Sequence, residues 1–74
     1  MDTLSPIHAE VWLDRIFSAK SADGHVVRRN VDWVTREIGL ERFLAEVRAK
    51  GFHLIQTADQ FVIVCHRGEI RLLF

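Results

Sequence analysis

A cysteine and a histidine stand side by side at Cys65-His66, and a thiolate within reach of an imidazole is the arrangement of a nucleophile and its base. With His8, His25 and His53, His66 also belongs to a set of four imidazoles, the side chains best suited to move a proton or bind a metal near neutral pH. The spacing removes both uses. Cys65 and His66 lie in the run Gln60–His66, which is rich in β-branched and aromatic residues and reads as a strand. Neighbours on a strand point to opposite faces, so the His66 ring does not reach the Cys65 sulfur. Cys65 is expected to be a buried, inert thiol. A metal needs three or four converging ligands; no two histidines have HxxxH spacing, and a single cysteine leaves no CxxC pair. These residues point to no catalytic group, no metal site and no cofactor.

The other side chains with chemical reach are cationic. Arg28, Arg29, Arg36, Arg42, Arg48 and Lys50 fall between residues 25 and 50, interleaved with Asp32, Glu37, Glu41 and Glu46, so that segment carries a net charge of +2, six minus four. The whole chain has ten basic and ten acidic residues. A general attraction to nucleic acid or anionic lipid is therefore not built into it. Glu46 and Lys50 are an i, i+4 pair of the favourable orientation, and the basic stretch reads first as a solvated helix face laced with ion pairs. Where nucleic acid is contacted, the candidate residues are Arg28, Arg29, Arg42, Arg48 and Lys50.

The elements that position these residues follow from periodicity and capping. Ser5-Pro6 suits a helix start, and Ala9, Trp12, Leu13, Ile16 and Phe17 form one apolar stripe up to about Ser18. Residues 18–24 are a loop ending in the turn dipeptide Asp23-Gly24, and residues 25–28 are expected as a short edge strand. Asn30 can cap a helix from Val31, with Asp32 in its first turn. At 100° per residue Val31, Val34 and Ile38 centre near ~335°, whereas Leu40, Phe43, Leu44 and Val47 centre near ~170°. A single straight helix would put these stripes on opposite sides. Gly39 is the natural break, which predicts two helices, about 31–38 and 40–50, with Gly51 as the C-cap of the second.

The final stretch from Gly51 to Phe74 reads as a three-stranded antiparallel meander, 52–57, 60–66 and 69–74, joined by the two-residue loops Ala58-Asp59 and Arg67-Gly68. Gly68 suits the second loop because it can take a positive φ. The loops set a register: Ile55 faces Val62 and His53 faces Val64, while His66 faces Glu69, Val64 faces Arg71 and Val62 faces Leu73. One face then collects Phe52, Leu54, Gln56, Phe61, Ile63, Cys65, Ile70, Leu72 and Phe74, and is the core face. The other carries an apolar centre of Ile55, Val62, Val64 and Leu73, with His53 and Arg71 beside it. Such a face calls for a cover, an N-terminal segment or another copy of the chain.

The expected fold is α+β: about three helices packed on a small three- to four-stranded antiparallel sheet, in the order α-(β)-α-α-β-β-β. A hydrophobic fraction of 49% supports a folded core, and the chain reads as one domain, 1–74, with a flexible start at 1–5. One cysteine, the absence of a basic n-region before an apolar run, and no apolar stretch near ~20 residues fit a cytoplasmic protein that does not enter a membrane. The expected function is a small non-catalytic interaction module, homodimeric through Ile55, Val62, Val64 and Leu73, with His53 and Arg71 at the contact. The alternative is a winged-helix-like nucleic-acid binder, suggested by the order helix, strand, helix, turn, helix, hairpin.

Two resemblances accompany this reading. The run LAEVRAKGFHLIQTADQFVIVC resembles part of a small toxin fold related to double-stranded-RNA-binding domains. The histidine that family places at the start of its second strand is replaced by Asp59-Gln60-Phe61 here, so its catalytic role does not carry over. From Trp12 to Phe74, the segments WLDRIFSAK, VVRRNVDWV, ERFLAEVRAKGFHLI and QFVIVCHRG resemble a group of small uncharacterised bacterial proteins. Some of these bear the label N-(5'-phosphoribosyl)anthranilate isomerase, an activity of (β/α)₈ barrels of ~250 residues. A chain of 74 residues is not that enzyme by itself. The resemblance implies, as a third reading, a small enzyme of tryptophan biosynthesis or an accessory to it, and brings no functional residue with it.

Overall fold

A computed structural model describes residues 6–18 and 24–74 of the chain. It contains, in order, α1 (Pro6–Ser18), β1 (Val26–Asn30), α2 (Val31–Glu37), α3 (Leu40–Lys50), β2 (His53–Gln56) and β3 (Gln60–Val64). This is an α+β fold, three helices on a three-stranded antiparallel sheet. The expected Ser5 cap, the flexible start at 1–5 and most of the loop before Gly24 lie outside the described residues.

The helices follow the residue patterns that predicted them. On α1, Ala9, Leu13 and Ile16 are buried and form the stripe that faces the core. Asn30 caps α2 by accepting the Trp33 N–H at 2.9 Å on its side-chain oxygen. Gly39 separates α2 from α3 at φ 96°, a conformation any Cβ would strain. The Val34 carbonyl accepts both the Ile38 and the Gly39 N–H there, at 2.9 and 3.0 Å, closing off α2. The break does what the phase mismatch demanded: Val34 and Ile38 of α2 and Phe43 and Val47 of α3 are all buried in one core. Gly51 ends α3 in the left-handed conformation, φ 74°, donating back to the last turn.

The sheet order is β1-β3-β2, with β3 in the centre. The β2–β3 register is the expected one, His53 opposite Val64 and Ile55 opposite Val62. The two-residue loop closes with the Thr57 N–H on the Gln60 carbonyl at 2.8 Å. Ala58 and Asp59 both keep negative φ.

The third strand of the expected meander is corrected. Residues 69–74 form no strand, and Val26–Asn30 takes the edge of β3 assigned to them, pairing Val26 with Val64, Val27 with Ile63 and Arg28 with Val62. A strand has two hydrogen-bonding edges, and with β1 on one and β2 on the other β3 has none left. Val64 therefore does not face Arg71, nor Val62 Leu73. Gly68 is not in the positive-φ region, so Arg67-Gly68 is not a hairpin loop. Val27, Phe61, Ile63 and Cys65 form the buried face of the sheet, where the Phe43 and Phe61 rings pack at 5.1 Å between centroids. Ile70, Leu72 and Phe74, expected on that face, are exposed.

Candidate interaction surface

Alternation along the three strands fixes what the outer face of the sheet presents. Since Val27 and Ile63 point inward, Val26, Val64 and His53 form one outward row and Arg28, Val62 and Ile55 the next. Val26 is 52% exposed and Ile55 46%, while Val62, Val64 and His53 are half-buried. Asn30 and Gln60 make a polar end to the same face. The expected apolar centre is thus present in Ile55, Val62 and Val64. Leu73 and Arg71 are not part of it: both lie beyond the sheet, Leu73 76% exposed and Arg71 within 3.3 Å of Glu69. Val26 takes the neighbouring position, and the signal for it was the alternation of residues 25–28, whose partner strand was unassigned.

A compact turn follows β3. The Cys65 N–H donates to the His25 carbonyl at 2.9 Å, extending the pairing to β1, and the Gly68 N–H donates to His66 Nδ1 at 3.0 Å. His53 Nε2 lies 2.6 Å from the Gly68 carbonyl and donates to it, and the His53 and His66 rings meet edge-on at 5.8 Å. Arg67 Nε donates to the Lys50 carbonyl at 2.9 Å, tying the turn to the end of α3. Two of the four histidines thus serve as hydrogen-bonding struts that fix where residues 69–74 leave the body, at the start of β2. Ile70 and Leu72 are then 43% and 88% exposed, and Phe74 is fully so.

Beside that point, α3 and β2 enclose an open groove of roughly 340 Å³. Leu44, Val47, Phe52 and Leu54 give it an apolar lining, with Arg48 and His53 at the rim. Sequence reasoning missed this groove, because an open strand edge is visible only once the pairing partners are known. A second groove, of roughly 280 Å³ between α1 and α3, is lined mainly by ion-pairing side chains including Glu10, Arg42, Glu46 and Lys50.

The remaining candidates are placed as follows. Cys65 is buried, its Sγ 3.7 Å from the Ile63 carbonyl, and burial pushes its thiol pKa above the ordinary value. His66 faces away from it, towards His53. Among the described residues no group of three or more histidine, cysteine or carboxylate side chains could hold a metal ion. The five basic candidates do not converge. Arg28 lies on the outer sheet face, Arg29 on the opposite one with Nη1 2.7 Å from the Arg28 carbonyl, and Arg48 at the α3–β2 groove. Arg42 lies 3.8 Å from Glu10 and 3.9 Å from Glu46, and Lys50 3.4 Å from Glu46. No described helix is long and apolar enough to cross a membrane. Comparison of the chain with protein-family models, curated proteins and solved structures finds no match in any of the three.

Proposed function

We propose that the chain is a non-catalytic interaction module of the cytoplasm that self-associates through the outer face of its sheet. One observation carries the reading: the patch of Val26, Ile55, Val62 and Val64, turned away from the core and rimmed by His53, Arg28, Asn30 and Gln60. An apolar patch with a polar rim is the usual form of a protein contact, and a two-fold dimer lets one patch bury itself against its copy. The test is the molar mass in solution. Ile55→Asp and Val26→Asp place a charge in the patch, and each should turn a dimer into a monomer while leaving the circular dichroism unchanged. A wild-type chain that stays monomeric up to millimolar concentration ends the reading.

A second reading, a winged-helix-like nucleic-acid binder, is favoured by the order α1-β1-α2-α3-β2-β3 with β1 laid against β3. The helix-turn-helix pair would be α2 and α3. Arg28 and Arg48, neither with a carboxylate partner among the described residues, would be its free cations. It has little electrostatic support, since Arg42 and Lys50 are engaged by glutamates and the hairpin tip from Thr57 to Gln60 carries no cation. It predicts salt-dependent retention on DNA that weakens in Arg42→Ala and Arg48→Ala. No retention at low salt would eliminate it.

A further inference from the structure

We propose that residues 69–74 of one copy add as a fourth strand to the open edge of β2 in a second copy, seating Ile70, Leu72 and Phe74 in the groove between α3 and β2. The inference rests on the interaction-module reading and names both the segment and its receptor.

Three observations bring the two together. The segment EIRLLF alternates like a strand, with Ile70, Leu72 and Phe74 on one side, yet it forms no strand and these side chains lie in solvent. Its natural partner within the chain, β3, is paired on both edges. Among the described residues the outer edge of β2 has no partner strand, and the groove along it is lined by the apolar side chains such a strand would need. Exposed edges of this kind accept extended segments through main-chain hydrogen bonds, with side-chain pockets supplying selectivity.

The backbone of β2 is set up to accept it. Thr57 and Gln60 close the hairpin as a bonded pair. Alternation then makes Ile55–Val62 and His53–Val64 bonded pairs, so the N–H and C=O groups of Leu54 and Gln56 point to the open edge.

The partner is a second copy because the segment leaves its own β2 edge unpaired in the structure and cannot reach that edge antiparallel. The turn of His66, Arg67 and Gly68 is fixed to His53 and Lys50, so the segment starts beside the first residue of β2. To pair antiparallel with β2 in the same chain it would first have to travel ~10 Å to the Gln56 end, at ~3.3 Å per residue, and then turn back. Six residues cannot do both. From a second copy the antiparallel approach is open, and two copies can exchange their segments reciprocally. Pairing in trans would also bring Arg71 and Leu73 alongside the outer face of the partner's sheet, next to Ile55. That is the patch the sequence alternation assigned to one chain.

The experiment is sedimentation equilibrium over micromolar to millimolar concentration, on the full chain, on a chain ended after Gly68, and on Gln56→Pro, which removes an edge N–H. The full chain should dimerise. Both variants should associate at least 100-fold more weakly, with unchanged circular dichroism. Because Gln56→Pro can disturb folding, a mixture of Leu44→Cys and Leu72→Cys chains provides a second readout. Oxidation should give a disulfide between the two different chains in preference to either self-linked product, against a low background from buried Cys65. A chain ended after Gly68 that dimerises like the full chain overturns the inference. The outer-face reading then stands or falls separately on Ile55→Asp. Absence of the mixed disulfide also overturns the inference, and a full chain monomeric throughout overturns both.

Discussion

Leu72→Ala and Phe74→Ala, compared with Phe61→Ala, separate the two places where the alternation of the last strand-like segment could put its apolar side chains. In the structure Phe61 is buried at 2% exposure between β3 and α3, whereas Leu72 is 88% exposed and Phe74 wholly so. Truncating a buried phenylalanine costs ~3–5 kcal/mol, from lost transfer energy plus the cavity left behind. Removing an exposed side chain that touches nothing changes stability by no more than ~0.5 kcal/mol. For a domain of this size ~1 kcal/mol moves Tm by ~4–8 °C, so Phe61→Ala should lower Tm by ~12 °C or more and the two tail variants by no more than ~4 °C. Thermal unfolding followed by circular dichroism, at a concentration where the wild type is monomeric, gives the comparison. At that concentration any contribution from association is absent. A loss of ~2 kcal/mol or more in Leu72→Ala or Phe74→Ala under those conditions would refute the placement, because only a side chain packed on its own core can lose that much.

Three further outcomes follow. Asn30→Ala removes the acceptor of the Trp33 N–H and should destabilise the chain by ~1 kcal/mol in urea unfolding, whereas Asn30→Asp should retain most of that. Gly51→Ala forces a Cβ into a residue at φ 74° and to 3.2 Å from Arg67 Cγ, so a loss of ~1–2 kcal/mol is expected by the same measurement. Burial raises the Cys65 pKa in the folded chain above the ordinary 9.0, so the folded state holds its proton where the unfolded state gives it up. Stability from this source is complete below pH 9 and should fall as the pH rises beyond it; Cys65→Ala should lose that slope, and Cys65 should react with a thiol reagent only after unfolding.

Local signals carried most of the architecture. The phase mismatch across Gly39, the Asn30 cap and the Gly51 terminator are each properties of a few consecutive residues, and each is found in place. The β2–β3 register was equally legible because a two-residue loop leaves one pairing. The partner of β3's other edge is a different matter. Val26–Asn30 and residues 69–74 both carry the apolar alternation of a strand and are separated from β3 by unequal stretches of chain. The choice between them is settled by tertiary competition, since β1 brings Val27 into the core and runs directly into the capped start of α2. The candidate surface inherits that split. Ile55, Val62, Val64 and His53 were readable from the hairpin, but Val26 and the α3–β2 groove depend on long-range pairing, and Leu73 and Arg71 left the surface when their strand lost its edge.

The molar mass of the full chain as a function of concentration, by sedimentation equilibrium, tests the central claim most directly. Self-association through the sheet predicts a reversible monomer–dimer equilibrium that Ile55→Asp shifts towards monomer. A single species at the monomer mass of 8.6 kDa up to millimolar concentration would contradict it.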